Sequence, residues 1–274
     1  MIVDFHSHVI VGDAAPPPSM VGASSDPAAI VAEAERAGID HVVLAPWVRL
    51  LDGEPERLNE AMLALRSDRV SVLGAVPLHE PERAADVVRG LPGVEIPASV
   101  DGVYLGDDRF APFWAAAEES GAVVFIHPTT RAFEWPDYYL WNTVGNPFET
   151  TVTGAHMVMA GVMERHPRLR VVLAHGGGAL PALRGRLRHA HEAIGAAKAR
   201  LRESPEASIK RFYFDTVTHD PAVLRELAAF AGADHIVLGT DHPFDMGDPD
   251  PVATVRAAGL DPDALGETAR ELLA

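Results

Sequence analysis

The chain carries His6 and His8 in the stretch Ile2-Val3-Asp4-Phe5-His6-Ser7-His8, a short apolar run ending in His-x-His. Side chains alternate faces along a strand, so His6 and His8 are expected on one face, with Asp4 beside them. Two neutral imidazoles on one face can hold a divalent metal ion. An isolated His-x-His is more often two polar residues at a strand end, so the pair needs partners from elsewhere in the chain.

Those partners depend on the fold that brings them together. Short β-rich runs alternate with Ala-rich amphipathic runs through the whole sequence. The strands are predicted at Ile2–His6, His41–Ala45, Val70–Val76, Gly93–Pro97, Ala122–Ile126, Arg170–Leu173, Phe212–Phe214 and His235–Leu238. Helices are predicted between them, among them Phe148–His166, Ala179–Ala197 and a stretch from Asp26-Pro27 to about Ala37, where Asp serves as N-cap and Pro opens the first turn. Eight strands alternating with helices argue for an α/β protein with a parallel (β/α)8 TIM barrel, and an open doubly wound sheet is the alternative. No shift in composition marks a boundary, so residues 1–274 are expected to form a single domain.

In such barrels the chemistry sits at the C-terminal ends of the strands. The residues there are His6 and His8 from the first strand, His127 from the fifth, His175 from the sixth, Asp215 and His219 after the seventh, and Asp241 and His242 after the eighth. Their convergence on one point makes a metal centre the leading reading. His41, His235, His156, His166, His189 and His191 are expected to serve packing or the surface, and His79 is a weaker candidate for the pocket. The run His175-Gly176-Gly177-Gly178 resembles an esterase oxyanion loop, but no Gly-x-Ser-x-Gly elbow accompanies it, so the glycines are read as allowing close backbone approach. Dinucleotide and Walker fingerprints are absent.

Bulk properties narrow the rest. With 274 residues and 47% hydrophobic content the chain can bury a large core. A formal net charge of −16 argues against nucleic-acid and anionic-membrane partners. There is no cysteine, which removes thiolate chemistry. Only two lysines occur, Lys198 and Lys210. No signal peptide or membrane-length apolar run is seen, so a cytoplasmic location is expected.

The sequence resembles the amidohydrolase superfamily, and within it the branch of aminocarboxymuconate-semialdehyde decarboxylase and related non-oxidative decarboxylases. The resemblance is carried by Asp4–His8, by Gly145-Asn146-Pro147-Phe148-Glu149-Thr150, by Gly161–Pro167 leading into Val171–Gly178 and Pro181, by Tyr213–Pro221 and by Leu238–Phe244. It implies metal ligands His6, His8, His175 and Asp241, with His219 as the catalytic histidine and Asp241 as a second proton-handling group. It implies His127 as a further ligand or substrate contact, and it matches Arg186 to an arginine after the glycine run. Binuclear members use a carbamylated lysine on a central strand, a position that neither Lys198 nor Lys210 fits, so one divalent ion is expected, zinc first and manganese second. Arg49 and Arg131, after the second and fifth strands, are candidates for a substrate carboxylate, and Trp141 in the aromatic segment 128–147 is a candidate cover for a flat substrate. The implied activity is decarboxylation of an aromatic or unsaturated carboxylic acid, with hydrolysis or hydration of a lactone, amide or enol acid as the alternative. The resemblance also implies a homodimer.

Overall fold

The computed structural model describes residues 1–129 and 137–274. Eight parallel strands form the barrel: β1 (Val3–Val9), β2 (His41–Pro46), β3 (Val70–Val72), β4 (Gly93–Pro97), β5 (Val123–His127), β6 (Arg170–Leu173), β7 (Tyr213–Asp215) and β8 (Ile236–Val237). Regular pairing joins β1 to β2 to β3, and β4 through β5, β6 and β7 to β8. Two single bridges close the ring, Gly74 with Val94 between β3 and β4, and Ser7 with His242 between β1 and the end of β8. The predicted (β/α)8 TIM barrel is therefore present, its ring of eight strands closed.

Side-chain parity sorts the core into two layers. Val94, Ile96, Val124 and Ile126 pack outward against the helices. Val43, Leu73, Val123, Phe125, Val172 and Val237 fill the barrel. Four helices open on Asp-Pro, and in each the Asp side chain caps a backbone N–H: Asp26 for Ala28, Asp220 for Ala222, Asp250 for Ala253 and Asp261 for Asp263. Each cap contributes about 1 kcal/mol, and proline is cheap at this position because its missing N–H would have had no partner.

Strand β1 runs longer than the sequence predicts, and it is irregular. Asp4 pairs with Val42 and Ser7 with Leu44, so three steps on β1 match two on β2. This bulge turns Phe5 and His6 both inward and reverses the expected position of Asp4. Asp4 faces a groove shared with Ser7 and Ile30, and its carboxylate accepts from Ser7 Oγ, from Thr240 N at 3.0 Å and from Thr240 Oγ1 at 2.6 Å. Asp4 thus clamps β1 to the segment after β8 and does not face the histidines.

Other boundaries differ for local reasons. The single helix expected over Phe148–His166 begins earlier and breaks into Gly145–Met159 and Val162–Arg165, because Gly161 adopts φ +72° between them. The helix expected over Ala179–Ala197 ends at Ala193 and restarts as Gly195–Lys198, with Ile194 extended. Within the aromatic segment, a short turn at Asp137–Tyr139 leads into a helix at Leu140–Thr143. No described helix is long and apolar enough to cross a membrane.

Candidate metal centre and active site

His6 and His8 leave β1 with their Nε2 atoms 3.0 Å apart. Asp241, from the segment after β8, brings Oδ1 to 3.3 Å from both nitrogens. His175, at the end of β6, lies with Nε2 3.5 Å from Asp241 Oδ2. The four ligands expected from the sequence therefore meet at one place. His127 joins them: its ring centroid is 4.6 Å from that of His8 and 5.2 Å from that of His175. His6, His127, His175 and Asp241 offer ligand atoms that all lie within 4.8 Å of one another. Both His127 nitrogens, His175 Nδ1 and Asp241 Oδ1 are buried without a hydrogen-bond partner. Buried polar atoms are ordinarily paired, so this donor set fits a cation rather than a hydrogen-bonded core. Phe125 floors the cluster, its ring 4.8 Å from that of His6.

Asp215 orients the cluster from behind. At the end of β7, its Oδ2 lies 2.6 Å from His6 Nδ1 and accepts from His175 N at 2.9 Å, while Oδ1 accepts from Gly176 N at 2.8 Å and Val217 N at 3.1 Å. The His6 Nδ1–H is thereby fixed toward Asp215, and Nε2 faces the site. Gly176 N is engaged by this carboxylate, which disposes of an oxyanion role for the glycine run. Gly178 has φ +60°, and a Cβ there would sit 2.0 Å from Pro147 O, so the glycines serve close approach as expected.

The backbone is strained where it carries chemistry. His175, His219 and Asp241 adopt φ of 56°, 55° and 57°. Non-glycine residues in this region cost about 1–3 kcal/mol each and cluster at functional sites.

Charge in the cluster is set by burial and proximity. Burial opposes a charge on His6, but the Asp241 and Asp215 carboxylates outweigh it and raise its pKa to about 10. Burial, with repulsion from His6, lowers His8 to about 4. Burial pushes Asp241 up, yet the charge on His6 and hydrogen bonds from the histidines hold it well below the usual carboxylate range. At neutral pH the metal-free cluster therefore keeps a proton on His6 that an incoming ion must displace. Apparent metal affinity is expected to rise about tenfold per pH unit from pH 6 to 9, flattening near pH 10, with about one proton released per ion. Zinc titration against a competing chelator at several pH values checks this, and a flat profile would show that His6 enters neutral.

Two cavities open on the cluster and share Asn142, Asn146 and Asp241. One, of about 310 Å³, is lined by His175, His219 and Arg184. The other, of about 450 Å³, is lined by His127, Arg49, Tyr139 and Trp141. His219, Arg49 and Trp141 thus border the site as expected, while Arg131 lies outside the described residues. Arg186, matched without a role, is absent from both linings, whereas Arg184 lines the first. Two residues apart on a helix point to nearly opposite faces. His79 lines a separate pocket with Asp52 and Ser99. Asp215, Arg184, Asn146 and Glu95 are functional candidates that the sequence reading left without a role. Asp215 was visible at a strand end, but only the topology reveals its bond to His6.

A family model described as Amidohydrolase matches residues 3–274. The chain belongs to the amidohydrolase family. A relative from Dictyostelium discoideum, named 2-amino-3-carboxymuconate-6-semialdehyde decarboxylase, is 32% identical over 244 residues, which is 81% of this chain and 68% of the relative. A 6-methylsalicylic acid decarboxylase of Penicillium expansum is 33% identical over 147 residues, spanning 51% of this chain and 44% of its own length. Among solved structures, a 5-carboxyvanillate decarboxylase of Novosphingobium aromaticivorans with bound manganese matches with a TM-score of 0.84 at 17% identity, covering 100% of this chain and 97% of that one. That likeness supports the barrel. The resemblance to the semialdehyde decarboxylase branch of the amidohydrolase family holds, and with it the expectation of a metal site.

Proposed function

We propose that this amidohydrolase is a metal-dependent non-oxidative decarboxylase acting on an aromatic or unsaturated carboxylic acid. The observation that carries the reading is the buried His6, His8, His175 and Asp241 cluster opening onto cavities bordered by Trp141, Tyr139 and Arg49. Decarboxylase names among the relatives support it. The four cluster residues would hold a divalent ion, zinc first on the chemistry of a His/Asp set and manganese, which a structural neighbour carries, second. Such an ion, when bound, supplies Lewis acidity toward a substrate oxygen.

The chain's own side chains account for the remaining work. Tyr139 and Trp141, with ring centroids 4.8 Å apart, offer apolar surface to a flat substrate. Arg49 sits at the cavity rim, where a guanidinium can pair with a carboxylate. Asn146 is buried, and its unpartnered Oδ1 belongs to a side chain lining both cavities. When the carbon–carboxylate bond breaks, its electron pair stays on the substrate carbon, CO₂ departs, and that carbon takes a proton. His219 would deliver it, and Asp241 is the second candidate.

Incubating the metal-loaded protein with hydroxybenzoates and muconate-like acids tests the reading. Release of CO₂ with formation of the decarboxylated product is expected. Cleavage of a lactone or amide without CO₂ release would replace it with the hydrolase reading.

A homodimer belongs to the same proposal. Leu140 and Val144 are 36% and 43% exposed, apolar side chains that a partner copy would cover. Light scattering is expected to give twice the chain mass of 29.3 kDa, and a monomer would remove this part.

A further inference from the structure

Asn146 stands at the start of the helix Gly145–Met159, where the two cavities meet, and its side chain lines both of them with Asp241 and Asn142. It is 7% exposed, and its Oδ1 is buried without a hydrogen-bond partner. The hydroxyls one turn along the helix offer it nothing. Thr150 Oγ1 donates to Asn146 O at 3.2 Å and Thr151 Oγ1 donates to Pro147 O at 2.6 Å, so both protons are committed to backbone. Nor is the helix start free to draw back. Pro147 O fills the space left by the missing Cβ of Gly178, and Thr151 Oγ1 accepts from Ala179 N at 2.8 Å. The first turn is thereby seated against the glycine run that follows His175.

Buried acceptors are ordinarily paired, and an unpaired one is costly. A leucine of similar shape would carry no such cost. An amide at this junction is accounted for by a donor that arrives from the cavities. The substrate carboxylate is not that donor, because an ionised carboxylate only accepts hydrogen bonds. Arg49 and Arg184, one in each cavity, are the groups suited to anionic oxygens. The amide oxygen instead suits a neutral O–H or N–H carried elsewhere on the substrate.

We propose that Asn146 is a specificity-determining residue whose Oδ1 accepts a hydrogen bond from a hydroxyl or amino group on the substrate's flat skeleton. It then selects acids that carry this donor over those with methoxy or methyl in its place. The proposal rests on the decarboxylase reading for its turnover measurement, but not for its binding measurement.

The test uses benzoates bearing hydroxyl, amino, methoxy or methyl at the ortho, meta or para position. Metal-loaded wild type and Asn146→Leu are compared in kcat/KM for CO₂ release and in Kd by calorimetry. At one ring position wild type is expected to favour hydroxyl and amino over methoxy and methyl by about 10- to 100-fold, chiefly through KM. In Asn146→Leu that ratio is expected to fall to near one, with metal content and thermal midpoint held. A purely structural role would lower all four acids together and leave the ratio unchanged, which overturns the proposal. Should Asn146→Leu not fold, Asn146→Ala supplies the same ratio without new bulk. Methoxy accepted as well as hydroxyl, with methyl alone rejected, would mean that the amide N–H reads an acceptor, and also overturns it. Equal treatment of the four substituents at every position, failure of all to bind included, would show that Oδ1 is met by water and overturns it too. Donor selectivity in binding that is lost in Asn146→Leu, with no CO₂ released from any acid, upholds Asn146 and overturns the decarboxylase reading alone.

Discussion

Asp241→Asn is expected to lower turnover by more than about 10³-fold and to release the ion during desalting, with the barrel intact. Among the described residues, Asp241 is the one carboxylate within 3.5 Å of three imidazoles, reaching His6, His8 and His175. Its charge is what draws the histidines together, and the same charge holds His6 protonated in the metal-free protein. Asparagine keeps the volume and removes the charge. It also tolerates the left-handed backbone at this position better than alanine does, so a change in fold is kept apart from a change in charge. The measurement pairs kcat with metal content, and adds the thermal midpoint of the metal-free protein. A variant that keeps both its ion and its turnover would show that the site lies elsewhere in the barrel.

What the sequence revealed, and what it hid, follows from which interactions are local. The strand-to-helix alternation and the strand-end positions of His127, His175 and Asp241 are one-dimensional patterns, and they are where the barrel places them. Asp4 was misplaced because a bulge inserts one extra residue and reverses the parity of everything before it. Nothing in Val3-Asp4-Phe5 announces that bulge; it is imposed by the register with β2. Glu95 escaped notice for a related reason. In Val94-Glu95-Ile96 a charged residue between two apolar ones reads as an outward side chain on a half-buried strand, yet here the apolar pair faces the helices and the acid faces the barrel axis. Parallel barrel strands are buried on both sides, so apolar content does not say which face is which. Arg184 and Arg186 likewise differ in helical phase, two residues being about 200° apart. Arg184 lies over the Phe230 ring at 4.9 Å.

The candidate ligands were thus legible because each sits at a strand end, whereas the groups that orient them were not. Asp215 illustrates the difference. Its carboxylate is fully buried, and burial would raise its pKa, but the hydrogen bond and charge of His6 keep it below the ordinary range. It is held charged by the residue it positions, a mutual dependence between β1 and β7 across more than two hundred positions of chain. No periodicity or spacing encodes such a pair.

His219→Asn is expected to lower kcat by about 10²- to 10⁴-fold while the metal content and KM stay near those of wild type. His219 shares a cavity with His175 and Asp241 but stands at its exposed mouth, outside the four-residue cluster. Its loop is fixed rather than loose. Asp215 anchors it through Val217 N, Thr216 Oγ1 accepts from Gly239 N at 3.0 Å, and Thr218 N donates to Thr216 O at 2.7 Å. The loop therefore delivers one imidazole, on a left-handed backbone that asparagine also accepts. A proton donor to carbon needs this combination of solvent access, for recharging, and a fixed approach to the substrate. Three readouts separate this role from a structural one. The ion is retained, the thermal midpoint holds, and added imidazole restores part of the turnover in His219→Ala, where space is opened, but not in His219→Asn. Unchanged kcat in both variants would move the proton transfer to Asp241, whose carboxylate borders both cavities.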